Sequence, residues 1–385
     1  MKKLFFAALC AAVLTGCASA PAVCTMSEGE IAPGVPEYTF NNGIIEIKVL
    51  AGVSGIVDHF RYLPEQRDLF EKMVYQVKTH DLLPTEVHAK VTGGRELIWG
   101  IRNFVNVPME VKNVSATPEK AAITMISRFF QGENIEAVKT VAVESGTLAV
   151  DITVSFTNRD RKPRPTSLWK HLTAQFTPNA KDIILVPAKS GVARVGNRAV
   201  MEVAENVIYH DYDSAHQSTF IAPFAPWIGR CSSDGVNRGT LVMRADEMMG
   251  DGAFHFTWKA PAKPLHTAEM ILPPLELAPG KTHTYTIRYL FFPHLRAVRA
   301  LAGNFGINAA PGVLELESVS KTAPAALTVA RMDGKNSVTL GNFTVPALQA
   351  GELYRLKLDK NIDVDNTAFV IDLNGEKIIL PKVKK

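Results

Sequence analysis

The chain has 385 residues, of which 46% are hydrophobic and 21% charged, with a formal net charge of +4. That balance excludes a disordered chain, and 26 glycines with 23 prolines exclude a collagen-like or low-complexity one. The length exceeds what one core usually supports, so a large domain with a smaller second one is expected.

Lys2 and Lys3, followed by the apolar run Leu4–Leu14, read as an export signal too short to span a bilayer as a helix. The run leads into Leu14-Thr15-Gly16-Cys17, which resembles the lipobox of bacterial lipoproteins. Small residues there admit the peptidase, and the cysteine thiol takes the diacylglyceryl group. The expectation is a signal peptide over 1–16, lipidation at Cys17 and a lipid-anchored place in the bacterial cell envelope. In a diderm cell Ala18 favours the outer membrane. An ordinary secretory cut after Ala18-Ser19-Ala20 is the alternative. Removing Lys2 and Lys3 brings the charge closer to neutral, which gives no support for nucleic acid as a partner. Residues 17–37 read as a flexible tether. Of the four cysteines, Cys10 falls in the signal and Cys17 at the anchor. Cys24 and Cys231 remain, and an oxidising compartment allows them to pair without any spacing that requires it.

Beyond the tether the dominant pattern is alternation. Ile45, Ile47 and Val49 alternate with polar residues, as do Val150, Ile152, Val154 and Phe156, and Tyr285, Ile287, Tyr289 and Phe291. A period of two marks half-buried antiparallel strands. Glu144-Ser145-Gly146-Thr147 reads as a hairpin turn. Only Arg67–Val77 and Ala297–Phe305 carry a spacing that predicts a few helical turns. The basic run Arg159–Arg164 reads as a solvated turn. His210–His216 gathers imidazoles and carboxylates that could ligate a metal, but such a cluster is more often an exposed loop, and no metal is expected. Residues 296–312 read as a linker. The strands after it, ending in an Asn374-Gly375 hairpin, predict a small C-terminal Ig-like sandwich over 313–385. No Gly-x-Ser-x-Gly, Gly-x-Gly-x-x-Gly or Walker-type loop is present, so no cofactor is expected. The fold class is all-β: a large antiparallel sandwich over 38–295 and the small one behind it.

Two segments carry the chemistry. Ser167-Leu168-Trp169-Lys170-His171-Leu172 follows a strand ending in Asn158. His266-Thr267-Ala268-Glu269-Met270-Ile271 precedes Leu277-Ala278-Pro279-Gly280 and the strand Thr282–Phe292. This order, with the early Gly52-Val53-Ser54-Gly55, resembles the galactose-mutarotase-like (aldose 1-epimerase-like) superfamily of sugar-binding β-supersandwiches. The resemblance implies that His171 is the general acid and Glu269 the general base of a ring-opening isomerase. Mutarotases proper carry Asn before the histidine and Tyr-Phe-Asn after it, where this chain has Lys170 and Leu172-Thr173-Ala174. The spacing from Glu269 to Leu277 is closer to that of the hexose-phosphate epimerase branch. An acid and a base that flank one sugar ring should end roughly 5–9 Å apart. Trp169, Trp227 and Trp258 are candidate sugar-stacking faces, with core packing the other reading for Trp169 and Trp258. Arg102 and Arg230 are candidate hydroxyl contacts. The chain is thus expected to be an envelope lipoprotein that binds a mono- or oligosaccharide and interconverts aldose anomers. The alternative is a non-catalytic glycan-binding or surface-scaffold lipoprotein of the same fold. A lyase or hydrolase has less support, because Glu269 has no second paired acid.

Overall fold

The computed structural model describes residues 23–70, 74–78, 86–91, 96–99, 107–127, 134–172, 183–189, 191–195, 199–203, 207–209, 218–232, 239–259 and 266–384. The signal peptide, Cys17, Arg102 and the segment His210–His216 lie outside the described residues. Among the described residues, no helix is long and apolar enough to cross a membrane, and regular structure is almost entirely β.

A ten-stranded sheet forms one layer. Its inner strands are Thr240–Arg244, Thr282–Phe292, Ala149–Asn158, Ile135–Glu144 and Lys120–Ser127. The alternation read from sequence sets the register: Ile152 faces Ile287 on one neighbour and Val141 on the other. One side of each strand is therefore sealed while the other stays polar. An eight-stranded sheet forms the second layer, and the strands Phe254–Lys259, His266–Ile271 and Arg164–Leu172 run side by side in it. The two layers share one core with a five-stranded sheet built from Thr25 to Asp68, whose Ile45, Ile47 and Phe60 are fully buried.

Between Ile45–Leu50 and Ile56–Tyr62 the chain turns through Ser54 and Gly55, both left-handed, at φ 56 and 57. A Cβ on Gly55 would lie 2.5 Å from Met125 Cε, so a larger residue there would have to displace that side chain as well as hold a left-handed backbone.

Four expectations are corrected. The tether does not reach residue 37, because Thr25–Ala32 and Val35–Asn41 pair as strands and Cys24 is buried. The described parts of the segment expected to be helical, 67–70 and 74–77, are not helical. Gln66 adopts a left-handed conformation after a single 3-10 turn, and Arg67–Asp68 and Val74–Lys78 are strands. Ala297–Phe305 is not helical either, and 296–312 is not a linker. Ala300–Ala302 and Phe305–Ala310 pair across a Gly303-Asn304 turn. Gly-Asn is a two-residue hairpin signal that outweighs weak helical spacing over nine residues. Cys24 and Cys231 are both buried and are not bridged to each other.

From Ala300 onward two four-stranded sheets enclose a second core around Ile307, Leu316, Leu327 and Phe369. Buried polar groups stitch this unit to the large one. Arg299, 2% exposed, donates to the carbonyls of Pro381, Val364 and Thr367. Burial pulls its guanidinium down to about 10, still a cation at neutral pH. Glu317 is fully buried and accepts from the backbone N–H groups of His294 and Leu295 and from the His294 ring. Lys382–Lys384 also joins the ten-stranded sheet, parallel to Val207–Tyr209.

Candidate functional site

His171 and Glu269 occupy neighbouring antiparallel strands, and their Cα atoms are direct cross-strand partners. Directly opposed residues point the same way from a sheet, so the two side chains meet. His171 Nε2 lies 3.3 Å from Glu269 Oε2. This corrects the expected 5–9 Å separation: strand pairing brings the groups together, leaving no room for a sugar ring between them. Glu269 Oε2 also accepts from the Trp169 indole N–H, and its Oε1 accepts from the Thr267 hydroxyl. The imidazole stacks on Trp169, with ring centroids 5.5 Å apart at 30°. Phe256, the cross-strand partner of Glu269 on its other side, meets Trp169 edge-on at 5.4 Å.

These residues face away from the shared core. Along Arg164–Leu172 the even positions Leu168 and Leu172 enter the core, as do Ala268, Met270 and Leu272 on and just beyond the neighbouring strand. Lys170, between Trp169 and His171, is fully buried on that side, with its Nζ 5.3 Å from the Tyr289 ring centroid in the opposite sheet. The residue that departs from the mutarotase pattern thus serves the core, where a cation over an aromatic face offsets part of the desolvation cost. Trp169, His171, Thr267 and Glu269 occupy the alternate positions. Glu269 is nonetheless closed off, its side chain 2% exposed against 11% for His171. On the same strand as Phe256, Phe254 is 40% exposed and is the cross-strand partner of Ile271. The site therefore runs from a sealed carboxylate, through a barely accessible imidazole and a half-buried indole, to an exposed phenyl ring.

The remaining candidates divide. Trp258 belongs to the strand beside Glu269 and is the cross-strand partner of Thr267, but its side chain lies outside the described residues, as does Arg102. Trp227 and Arg230 are not on this sheet. Both sit on Trp227–Cys231 in the ten-stranded layer and are buried at 2% and 5%. Trp227 lines a separate recess of about 250 Å³ with Phe224, Met249, Leu301, Glu376 and Ile378, between the two units. Among the described residues no group of three or more His, Cys, Asp or Glu is placed to hold a metal ion. The basic run is a turn whose Arg159 and Arg164 pair with Glu136 and Asp160.

Besides the exposed Phe254, Thr267 and Phe256 are the members of the site not singled out from sequence. Both were within reach of the period-two rule, since Thr267 is two residues before Glu269 and Phe256 lies in an aromatic-rich alternating strand.

No protein-family model matches this sequence, and no curated protein matches it either. Solved structures resemble the fold. A galactose mutarotase-like protein from Clostridium acetobutylicum is similar with a TM-score of 0.51 at 11% identity, over 70% of this chain and 98% of that one. A putative mutarotase from Salmonella typhimurium gives 0.51 at 6% identity, over 69% of this chain and 93% of that one. A TPR-domain containing protein from Parabacteroides distasonis gives 0.55 at 10% identity over 74% of this chain, which spans 56% of that protein's length.

Proposed function

Given a galactose-mutarotase-like β-sandwich fold, we propose that this chain is a cell-envelope lipoprotein that binds a carbohydrate on the outward face of its eight-stranded sheet. The observation that carries the reading is the cluster of Trp169, His171 and Glu269 on the side of the sheet that does not serve the core. A pyranose has one face of C–H groups and a rim of hydroxyls. Trp169 and Phe254 offer aromatic surface to the first, and an imidazole backed by a carboxylate meets the second. Interconversion of aldose anomers is the finer reading, with His171 as its proton-active group; the alternative is a glycan-binding protein without catalysis.

Two measurements test these claims. Calorimetric titration with D-galactose, D-glucose and their oligosaccharides should show binding that Trp169→Ala weakens by about 3- to 10-fold, the loss of one aromatic contact. Binding indifferent to Trp169, or no binding to any of these sugars, rejects the site. Cys17→Ser should move the protein from the membrane fraction to the soluble one. An unmodified Cys17 by mass spectrometry rejects the anchor.

A further inference from the structure

Opening a sugar ring ordinarily calls for an acid and a base on separate sides of the anomeric centre. The geometry here is different. Glu269 is directly registered with His171, sits 3.3 Å from its Nε2 and is almost sealed from solvent. Both carboxylate oxygens are engaged, Oε1 by Thr267 and Oε2 by Trp169 as well as the imidazole. A pyranose cannot enter a gap of that size, and a carboxylate already accepting from an indole and a hydroxyl is not arranged to strip a proton from a ligand.

We propose that Glu269 acts through His171 as its fixed counter-charge, that Trp169 and Thr267 are the residues that position it, and that a bound sugar meets one proton-active group instead of two. The inference deepens the carbohydrate-site reading and rests on it for the identity of the ligand. A carboxylate next to an imidazole favours the protonated ring, and in a water-poor setting the effect strengthens. The same logic holds the histidine of a hydrolase triad in place without protonating its acid.

On a cyclic aldose the step balances with the imidazole alone. The neutral ring takes the proton of the anomeric hydroxyl, the freed oxygen pair forms the carbonyl, and the ring C–O bond breaks toward the ring oxygen. That oxygen then takes the same proton back from the imidazolium. Glu269 stays ionised throughout. The anomeric and ring oxygens are bonded to the same carbon, so one imidazole can serve both in turn. Trp169 has two tasks, because the ring that stacks on His171 is also the donor that fixes Glu269.

The test uses the full chain labelled with ¹⁵N. Its four tryptophans give four indole N–H signals, and Trp169→Phe identifies the one at the site. That proton should lie downfield, as in a charge-assisted bond, and move upfield in Glu269→Gln. The His171 ring should titrate at lower pH in Glu269→Gln than in the intact chain. Thr267→Val should shift it too, and Thr267→Ser, which restores the hydroxyl, should bring it back. A merely structural threonine would give no such rescue. An indole signal and a His171 titration both unmoved by Glu269→Gln overturn the proposal.

Anomer exchange of D-galactose, followed by NMR, supplies the second arm. His171→Ala should lose roughly a hundredfold in rate. Adding Glu269→Gln to it should cost nothing further, because the two residues work as a unit. Multiplying losses overturn the proposal. Should the intact chain not exchange anomers at all, the isomerase reading falls by itself, while the indole and imidazole signals still decide the pairing.

Discussion

Two histidines on the same sheet, with one strand between theirs, have opposite surroundings. His255 lies on the core side of Phe254–Lys259, fully buried, with its Nε2 3.2 Å from the Ala225 carbonyl oxygen. Burial pulls it down to about 4, so it is neutral at physiological pH. His171 lies two strands away on the other side, against a carboxylate. The first is held by desolvation and one backbone bond. The second is held by a charge, an aromatic ring and a partner that two further residues keep in place. In a sheet, neighbouring residues of one strand can therefore have different surroundings, with Leu168 and Lys170 packed into the core while Trp169 and His171 lie on the opposite side.

The sharpest way to break this division is to cut on both sides of one peptide bond. Leu168→Ala empties a fully buried position and should cost about 2–5 kcal/mol in urea unfolding. Trp169→Ala, the next residue along, should cost clearly less stability while it weakens sugar binding. Equal stability losses at the two positions would show that both faces serve the core alike.

A smaller effect follows from acid. The folded-state value of His255, about 4, lies below its ordinary 6.5. The fold therefore favours the neutral ring, and that stabilisation is complete above pH 6.5. It is lost progressively as the pH falls toward 4, by up to about 3 kcal/mol. His294 has the opposite sign: its hydrogen bond to Glu317 raises it, so its contribution is present at low pH and lost as the pH rises. Comparing chains isolates the first term. His255→Gln, which keeps a donor for Ala225, should unfold in urea with less dependence on pH between 7 and 4.5. Parallel pH curves for the two chains would remove His255 from the account.

Much of the fold was legible because it rests on local alternation. The runs at Val150–Phe156 and Tyr285–Phe291 show their buried side directly, and the hairpins at Glu144–Thr147 and Asn374-Gly375 fall where turn residues place them. The errors arose where a short signal competed with a weak longer one, as with Gly303-Asn304 against helical spacing. The tether was misread because Ser-, Glu- and Gly-containing Thr25–Ala32 is an exposed edge strand, with little apolar character to betray it. At the site, His171 and Glu269 were found from their motifs, but the distance between them was not. Their contact depends on a register between strands roughly a hundred residues apart, which no single strand encodes. Trp227 was grouped with them for the same reason, although it belongs to the facing layer.

The order of strands in the ten-stranded sheet has a consequence for how the chain reaches this state. Residues Glu110–Asn158 form a run of four consecutive strands that can pair as each is made. The next place in the sheet, beside Ala149–Asn158, belongs to Thr282–Phe292. Until that segment arrives, the early four-stranded piece presents a ten-residue edge strand, apolar on one side, with open hydrogen-bonding groups, the feature by which partly folded β-chains stick to one another. Closing a loop of that length makes the middle of the sheet late and slow to assemble. The strand that completes the core is thus also the one that ends the period of greatest exposure to aggregation, and yield on refolding should depend more on protein concentration than on the stability finally reached.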